Sequence, residues 1–374
     1  MNRSFLVDLL KLLAAQSIVL HHFLVYGPIA DTLHARWPHG SEVGVEASRL
    51  AVQVFLVIAG FLAAQSLSSH VTARERVQPG RLIGRRYLRL IPPYLVAVLG
   101  ISILATLLRP VLGSDWLVEP AQWGAALAHA LTLQSILDLP SLSVGAWYVA
   151  MDLQLYALLV LLVVATPHAR GLTLAVMGLA LASMFNFNLQ TSLDKWPLYF
   201  FGAYALGVAA GWSARSRFDR LAFVALAAAA LLALWFAPRL RLGVALVTAV
   251  ALVCAAHWRT PANRWGALMQ GLSDGSYGTF LTHYAVLMLA SAVWVSGDLH
   301  GVGSALTAVA LGWAFSLLLG HAFHRHVERP LSSWLQTHVG LWAQRSRHIA
   351  MHTRLTAARW LRSRHTPSTD PSVH

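Results

Sequence analysis

Four ionisable residues, Asp8, Lys11, His21 and His22, stand in one apolar stretch of this sequence, FLVDLLKLLAAQSIVLHHF. An ionisable group inside hydrocarbon costs about 2.5 kcal/mol or more, which makes each of them a functional candidate. On a helix, Lys11 and His22 lie three turns plus about 20° apart and so share a face, with Asp8 within about 40° of His22. His21 points about 100° away from His22, and Lys11 stands roughly 16 Å below His22 along the axis. One stripe thus carries a cation near one membrane face and an imidazole near the other, and imidazole is a general base or a nucleophile. A plainer account also fits: Lys11 snorkels, Asp8 pairs with it at i,i+3, and the histidines sit among lipid headgroups.

Asp152, in GAWYVAMDLQLYALL, is a second carboxylate in apolar surroundings. It needs a partner, and a histidine from another helix is a good one, although an ordinary helix–helix polar contact would serve as well. Arg85, Arg86 and Arg89 open RRYLRLIPPYL. Arginine forks suit phosphates, but any helix that starts on the cytoplasmic side looks basic. Gly271-Leu272-Ser273-Asp274-Gly275 fits G-x-S-x-G, yet that motif needs a strand–turn–helix elbow, and here it precedes an apolar helix. His321, His324 and His326 have the chemistry of metal ligands but lie where an interface is expected, so no metal is predicted. Ser276, Tyr277 and His283 suit core packing and function equally.

These side chains must be held by membrane helices. Of the 374 residues, 57% are hydrophobic and 11% charged, against about 25% charged in a soluble domain. Apolar runs fall at 5–26, 48–67, 86–108, 121–139, 146–166, 170–187, 196–212, 219–236, 241–257, 274–296 and 303–323. Most approach the ~20 residues that cross a bilayer as helix, and none shows the short alternation of a β-barrel. The net charge of +13 resides in the gaps and the tail, the positive-inside pattern, so nucleic acid is not an expected partner. Cys254 is the single cysteine, which excludes a disulfide framework or a thiolate metal site. Asp8 and Lys11 interrupt the first run, which is therefore expected to stay in place as a helix rather than be cleaved.

Arginines at 74–86, 215–220, 259–264 and after 324 mark cytoplasmic segments. Counting spans from both ends leaves 121–139 with both ends outside. Its Gln122, His129, Gln134 and Asp138 suit an interfacial or re-entrant helix. The fold class expected is all-α, a polytopic transmembrane bundle of about ten spanning helices plus that one. The bundle occupies 1–335, and 336–374 form a basic, disordered cytosolic tail. Both termini are expected in the cytosol of a bacterial inner-membrane protein. No internal repeat or inverted pair of broken helices speaks for a transporter.

The motifs, taken in order, resemble the acyltransferase-3 family of bacterial integral membrane acyltransferases, which includes O-antigen and exopolysaccharide O-acetylases. Lys11 and His22 match its basic residue, ten others, then histidine, a spacing that selects His22 over His21. Val54–Phe61 is similar to its second-helix motif ending Ser-Gly-Phe, with Ala59 in place of serine. Arg86-Tyr87-Leu88-Arg89 with Pro92-Pro93-Tyr94 matches its Arg-x-x-Arg segment. Trp147–Asp152 resembles Trp-Ser-Leu-x-x-Glu, with Gln154 and Tyr156 in place. Ser276–His283 resembles Ser-Tyr-Gly-x-Tyr-Leu-x-His, and Val327-Glu328-Arg329-Pro330 its closing Val-Glu-Arg-Pro. Lysine stands at 11 where arginine is commoner, and aspartate at 152 where glutamate is.

The resemblance spans residues 3–335. It implies transfer of an acyl group, acetyl above all, from cytosolic acyl-CoA to a hydroxyl of a surface or lipid-linked glycan, with no resident cofactor. Arg85, Arg86 and Arg89 would hold the CoA phosphates. His22, Lys11 and Asp152 would form the catalytic set, with Asp152 orienting the imidazole as in a triad. Trp147, Tyr277 and His283 would contact substrate. Membrane lipids are the remaining partners, and the oligomeric state is left open. A lipid-linked glycan flippase or polymerase, or a transporter, is the alternative. It would share helix count and buried polar groups but not a CoA cluster, and the 27–47 outer loop is short for it.

Overall fold

The computed structural model describes residues 4–72 and 78–338; Arg74, Arg76 and the tail from 339 lie outside the described residues. The described chain is helical, its one β-bridge joining Ser4 to Arg259. In order the helices are α1 Phe5–Val25, α2 Gly27–Arg36, α3 Pro38–Arg49, α4 Ala51–Thr72, α5 Pro79–Leu112, α6 Trp123–Ala130 and α7 Ala146–Ala165. There follow α8 Ala169–Phe185, α9 Pro197–Trp212, α10 Arg217–Phe236, α11 Leu240–Cys254, α12 Arg264–Asp274, α13 Ser276–Ser296 and α14 Val302–Phe323, the last running into a π-turn at His324–Glu328.

Eight helices among the described residues are long and apolar enough to cross a membrane. Of the ten runs expected to span, α9 and α11 have 16 and 15 residues, about 24 and 22 Å of helix against a core of ~30 Å. Length alone therefore does not reach ten. The run 121–139 yields only α6, 8 residues long and about 12 Å, too short to cross. The segment 27–47, expected as a loop, is instead helical, because Pro28 and Pro38 stand at helix starts, where a missing N–H is harmless.

α9 is the pillar of the larger core. Nearly every residue of it is buried, as befits a helix apolar all round. It packs most extensively on α4 through glycines that let the backbones touch. A Cβ on Gly60 would stand 2.0 Å from the Tyr204 carbonyl oxygen, and one on Gly207 1.9 Å from that of Val57. Gly207 and Gly211 form a G-x-x-x-G, the small-residue crossing by which membrane helices pack closely. It went unused in reading the sequence.

The proline pair in α5 builds the second crossing. Pro92 and Pro93 offer no N–H to the carbonyls of Leu88 and Arg89 one turn back. Ser332 donates to the Arg89 carbonyl at 3.3 Å, and Tyr277 to the neighbouring Leu90 carbonyl at 2.8 Å. The proline segment thus presents acceptors on which α13 and the chain after α14 dock. α13 in turn packs on α1 and α14, which sets α1 and α13 side by side.

Candidate active site

α1 runs unbroken through Lys11 and His22, so the shared face expected from periodicity holds. The two adjacent histidines face different neighbours. His21 Nδ1 lies 3.2 Å from both the Val45 carbonyl and Ser48 Oγ, binding α1 to α3. His22 turns to α13, where its Nδ1 lies 2.6 Å from Nε2 of His283 with the rings stacked 4.8 Å apart. Both imidazoles are buried, at 7% and 1% exposure.

The hydrogen bonds assign the tautomers. His283 Nδ1 lies 3.2 Å from the Thr279 carbonyl, and a carbonyl only accepts, so that nitrogen carries the proton. Nε2 of neutral His283 is then an acceptor, and His22 Nδ1 must donate to it. His22 Nε2 is left with its lone pair. The chain carbonyl–imidazole–imidazole orients a base as a serine-protease carboxylate orients its histidine, with a neutral ring in place of the charge.

His22 forms part of the wall of a cavity of about 540 Å³, the size of a small-molecule site. Trp147, Tyr148, Phe55 and Phe280 line it as an aromatic wall. Trp147 packs on Phe200 with ring centres 5.7 Å apart, and Tyr148 on Phe280 at 5.6 Å. The cavity also takes in Glu46, Arg49, Arg239 and Arg241 from α3 and the α10–α11 corner. None of these four was singled out in the sequence. Arg239 and Arg241 follow Pro238 at the entry to α11, and only packing turns them toward α1.

Asp152 is placed elsewhere than expected. Its two oxygens both accept from Nη2 of Arg86, at 2.6 and 2.7 Å. The Arg86 guanidinium lies 4.6 Å over the Tyr156 ring. The pairing with His22 is therefore not made, and the reason is geometric. Asp152 stands about 7.5 Å along α7 from Trp147 and about 140° around it, which turns it to α5 rather than to the cavity. Arg86, expected among the phosphate ligands, is likewise committed to this ion pair. Arg85 and Arg89 are exposed.

At that same end several expected residues gather. Lys11, half-buried, and Arg89 lie within electrostatic reach of Glu328, which pairs with His324 at 2.9 Å. Tyr277 shares the fields of Glu328, Arg89 and Asp152. So the structure separates two clusters: Lys11, Arg89, Tyr277 and Glu328 at one end, and His22 and Trp147 on the cavity wall, with His283, expected to contact substrate, buried behind His22 instead of lining the cavity. His321 and His326 are exposed. Ser273, of the G-x-S-x-G pattern, is buried in the last turn of α12 and donates to Asp8 at 3.0 Å. It docks α12 on α1, and Thr260 adds a second bond to Asp8 at 3.3 Å.

A family model described as an acyltransferase domain matches residues 6–325. Comparison with curated proteins and with solved structures yields no match.

Proposed function

The chain belongs to the acyltransferase-3 family, and from that premise we propose that it moves an acyl group, acetyl first among candidates, from acyl-CoA to a hydroxyl of a cell-surface or lipid-linked glycan. The donor enters at the Lys11–Arg89–Glu328 end, which faces the cytosol together with both termini in a bacterial inner membrane. Arg85 and Arg89 hold phosphates there, while Arg86 keeps α5 and α7 in register through Asp152. The thioester arm follows α1 across the roughly 16 Å that separate Lys11 from His22, and the acceptor occupies the aromatic cavity.

His22 Nε2 takes the proton of the acceptor hydroxyl as its oxygen attacks the thioester carbonyl. The new C–O bond forms, the C–S bond breaks, and the proton passes from His22 to the departing thiolate, giving the ester and CoA. His283 accepts the Nδ1 hydrogen bond of His22 throughout and spreads the charge that His22 gains. Trp147 offers the sugar ring a flat apolar face.

The observation that carries this reading is the Thr279–His283–His22 chain, which supports a free Nε2 lone pair on His22 at a cavity wall. The test uses purified full-length protein with radiolabelled acetyl-CoA, scored by CoA release and acyl transfer to membrane glycan. Wild-type protein should consume the thioester, His22→Ala should lose about 10²–10⁴-fold, and His21→Ala should keep most of the rate. Wild-type transfer by His22→Ala would overturn the assignment and favour the flippase alternative.

A further inference from the structure

Three guanidiniums reach the cavity from three elements: Arg49 at the end of α3, Arg239 in the α10–α11 corner and Arg241 at the start of α11. Among the described residues none of them pairs with a carboxylate, and the one carboxylate of the cavity, Glu46, leaves the group net positive by two.

Arg239 and Arg241 are held rigidly, and by neutral partners. Arg239 donates to the Met184 carbonyl at 3.0 Å, to Asn188 Oδ1 at 2.9 Å and to the Ala237 carbonyl at 3.1 Å. Arg241 donates to the Asn188 carbonyl at 3.0 Å and to the Tyr199 hydroxyl, whose ring lies 5.0 Å below it. A guanidinium has five donors, so both forks keep N–H groups over for a ligand. Burial, and then the neighbouring Arg241 charge, pull the Arg239 pKa below its usual value. Two like charges fixed side by side are unfavourable on their own, and a bound anion relieves exactly that repulsion while using the spare donors.

We propose that the glycan acceptor carries an anionic group, phosphate or carboxylate, which docks on Arg239 and Arg241 while its sugar ring lies against Trp147 and Tyr148. The proposal rests on the acyl-transfer reading above and names its acceptor class. Arg49, exposed at the cavity mouth, draws the anion in, and Glu46 is left to accept hydrogen bonds from sugar hydroxyls.

Three probes of one ring size test it: glucose 1-phosphate, glucuronate and glucose, titrated calorimetrically into the full chain in phosphatidylcholine nanodiscs. At least one charged sugar should bind about tenfold or more tighter than glucose. The preference should shrink as salt rises toward about 0.5 M. Phosphate ahead of carboxylate identifies a lipid-linked sugar phosphate, and the reverse order an acidic polysaccharide. Arg241→Gln should remove most of the preference. Because Arg241 also braces Asn188, the exposed Arg49→Gln serves as a second variant, with a loss of about threefold expected.

Equal binding of the three probes, or binding of none, overturns the proposal. So does a preference that vanishes in phosphatidylglycerol nanodiscs, since lipid headgroups would then occupy the pair. The titration needs no thioester, so the two readings fail separately. Acetyl-CoA consumption without charge preference removes the anionic acceptor alone. Charge preference without acetyl-CoA consumption removes acyl transfer and, with it, the acceptor role.

Discussion

Replacing Asp152 by Asn removes a charge from a buried ion pair while keeping the shape of the side chain. Both carboxylate oxygens now accept from Arg86 Nη2, at 2.6 and 2.7 Å, with the side chains only 10% and 21% exposed. Arg86 Nε is itself buried without a partner, so the carboxylate is the main compensation for the guanidinium. Breaking such a pair from one side costs about 3–5 kcal/mol. Asparagine retains one acceptor, which puts the cost near the lower end, about 3 kcal/mol. The Tyr156 ring 4.6 Å away offsets at most about 2 kcal/mol and is present before and after. At roughly 2 °C per kcal/mol for a chain of this size, Tm should drop by about 6 °C. The assay is thermal unfolding of detergent-purified protein, beside acyl transfer normalised to folded protein. The double variant Arg86→Met with Asp152→Leu should recover most of the lost stability, because an apolar pair has no stranded charge. An Asp152→Asn protein that unfolds at the wild-type temperature yet loses transfer would refute this reasoning and return Asp152 to the chemistry.

The tautomer argument predicts that His283→Gln, whose amide oxygen can still accept from His22 Nδ1, keeps more activity than His283→Leu, which should lose about 10²-fold; equal rates for the two would show that the acceptor is immaterial. Gly207→Val places side-chain atoms where even a Cβ would be 1.9 Å from the Val57 carbonyl oxygen, so folded protein in the membrane should fall below detection by size-exclusion fluorescence, whereas Gly171→Val, with nothing near its Cβ position, should fold normally. Because α6 is too short to cross, reporter fusions at Gly113 and Pro140 should report the same side of the membrane; opposite sides would mean that the chain crosses between them.

Much of the helix plan was legible because hydrocarbon imposes it: apolar runs near 20 residues become helices, and the weakly apolar 121–139 yields only the short α6. Periodicity put His22 on the face of Lys11 and pointed His21 about 100° away, and the spacing of the family motif then selected His22. Prolines 28 and 38 were present as helix-start signals in what was expected to be a loop, and the Gly207–Gly211 pair as a packing signal. What no one-dimensional pattern contains is which helix faces which. His22 meets His283 across 261 positions of sequence, and Asp152 meets Arg86 rather than His22, because the stagger of α1 on α13 and the turn of α7 toward α5 decide those pairings. The same holds for Arg49, Arg239 and Arg241, ordinary interfacial arginines in the sequence. Only tertiary packing gathers them round one cavity, without a carboxylate partner among the described residues.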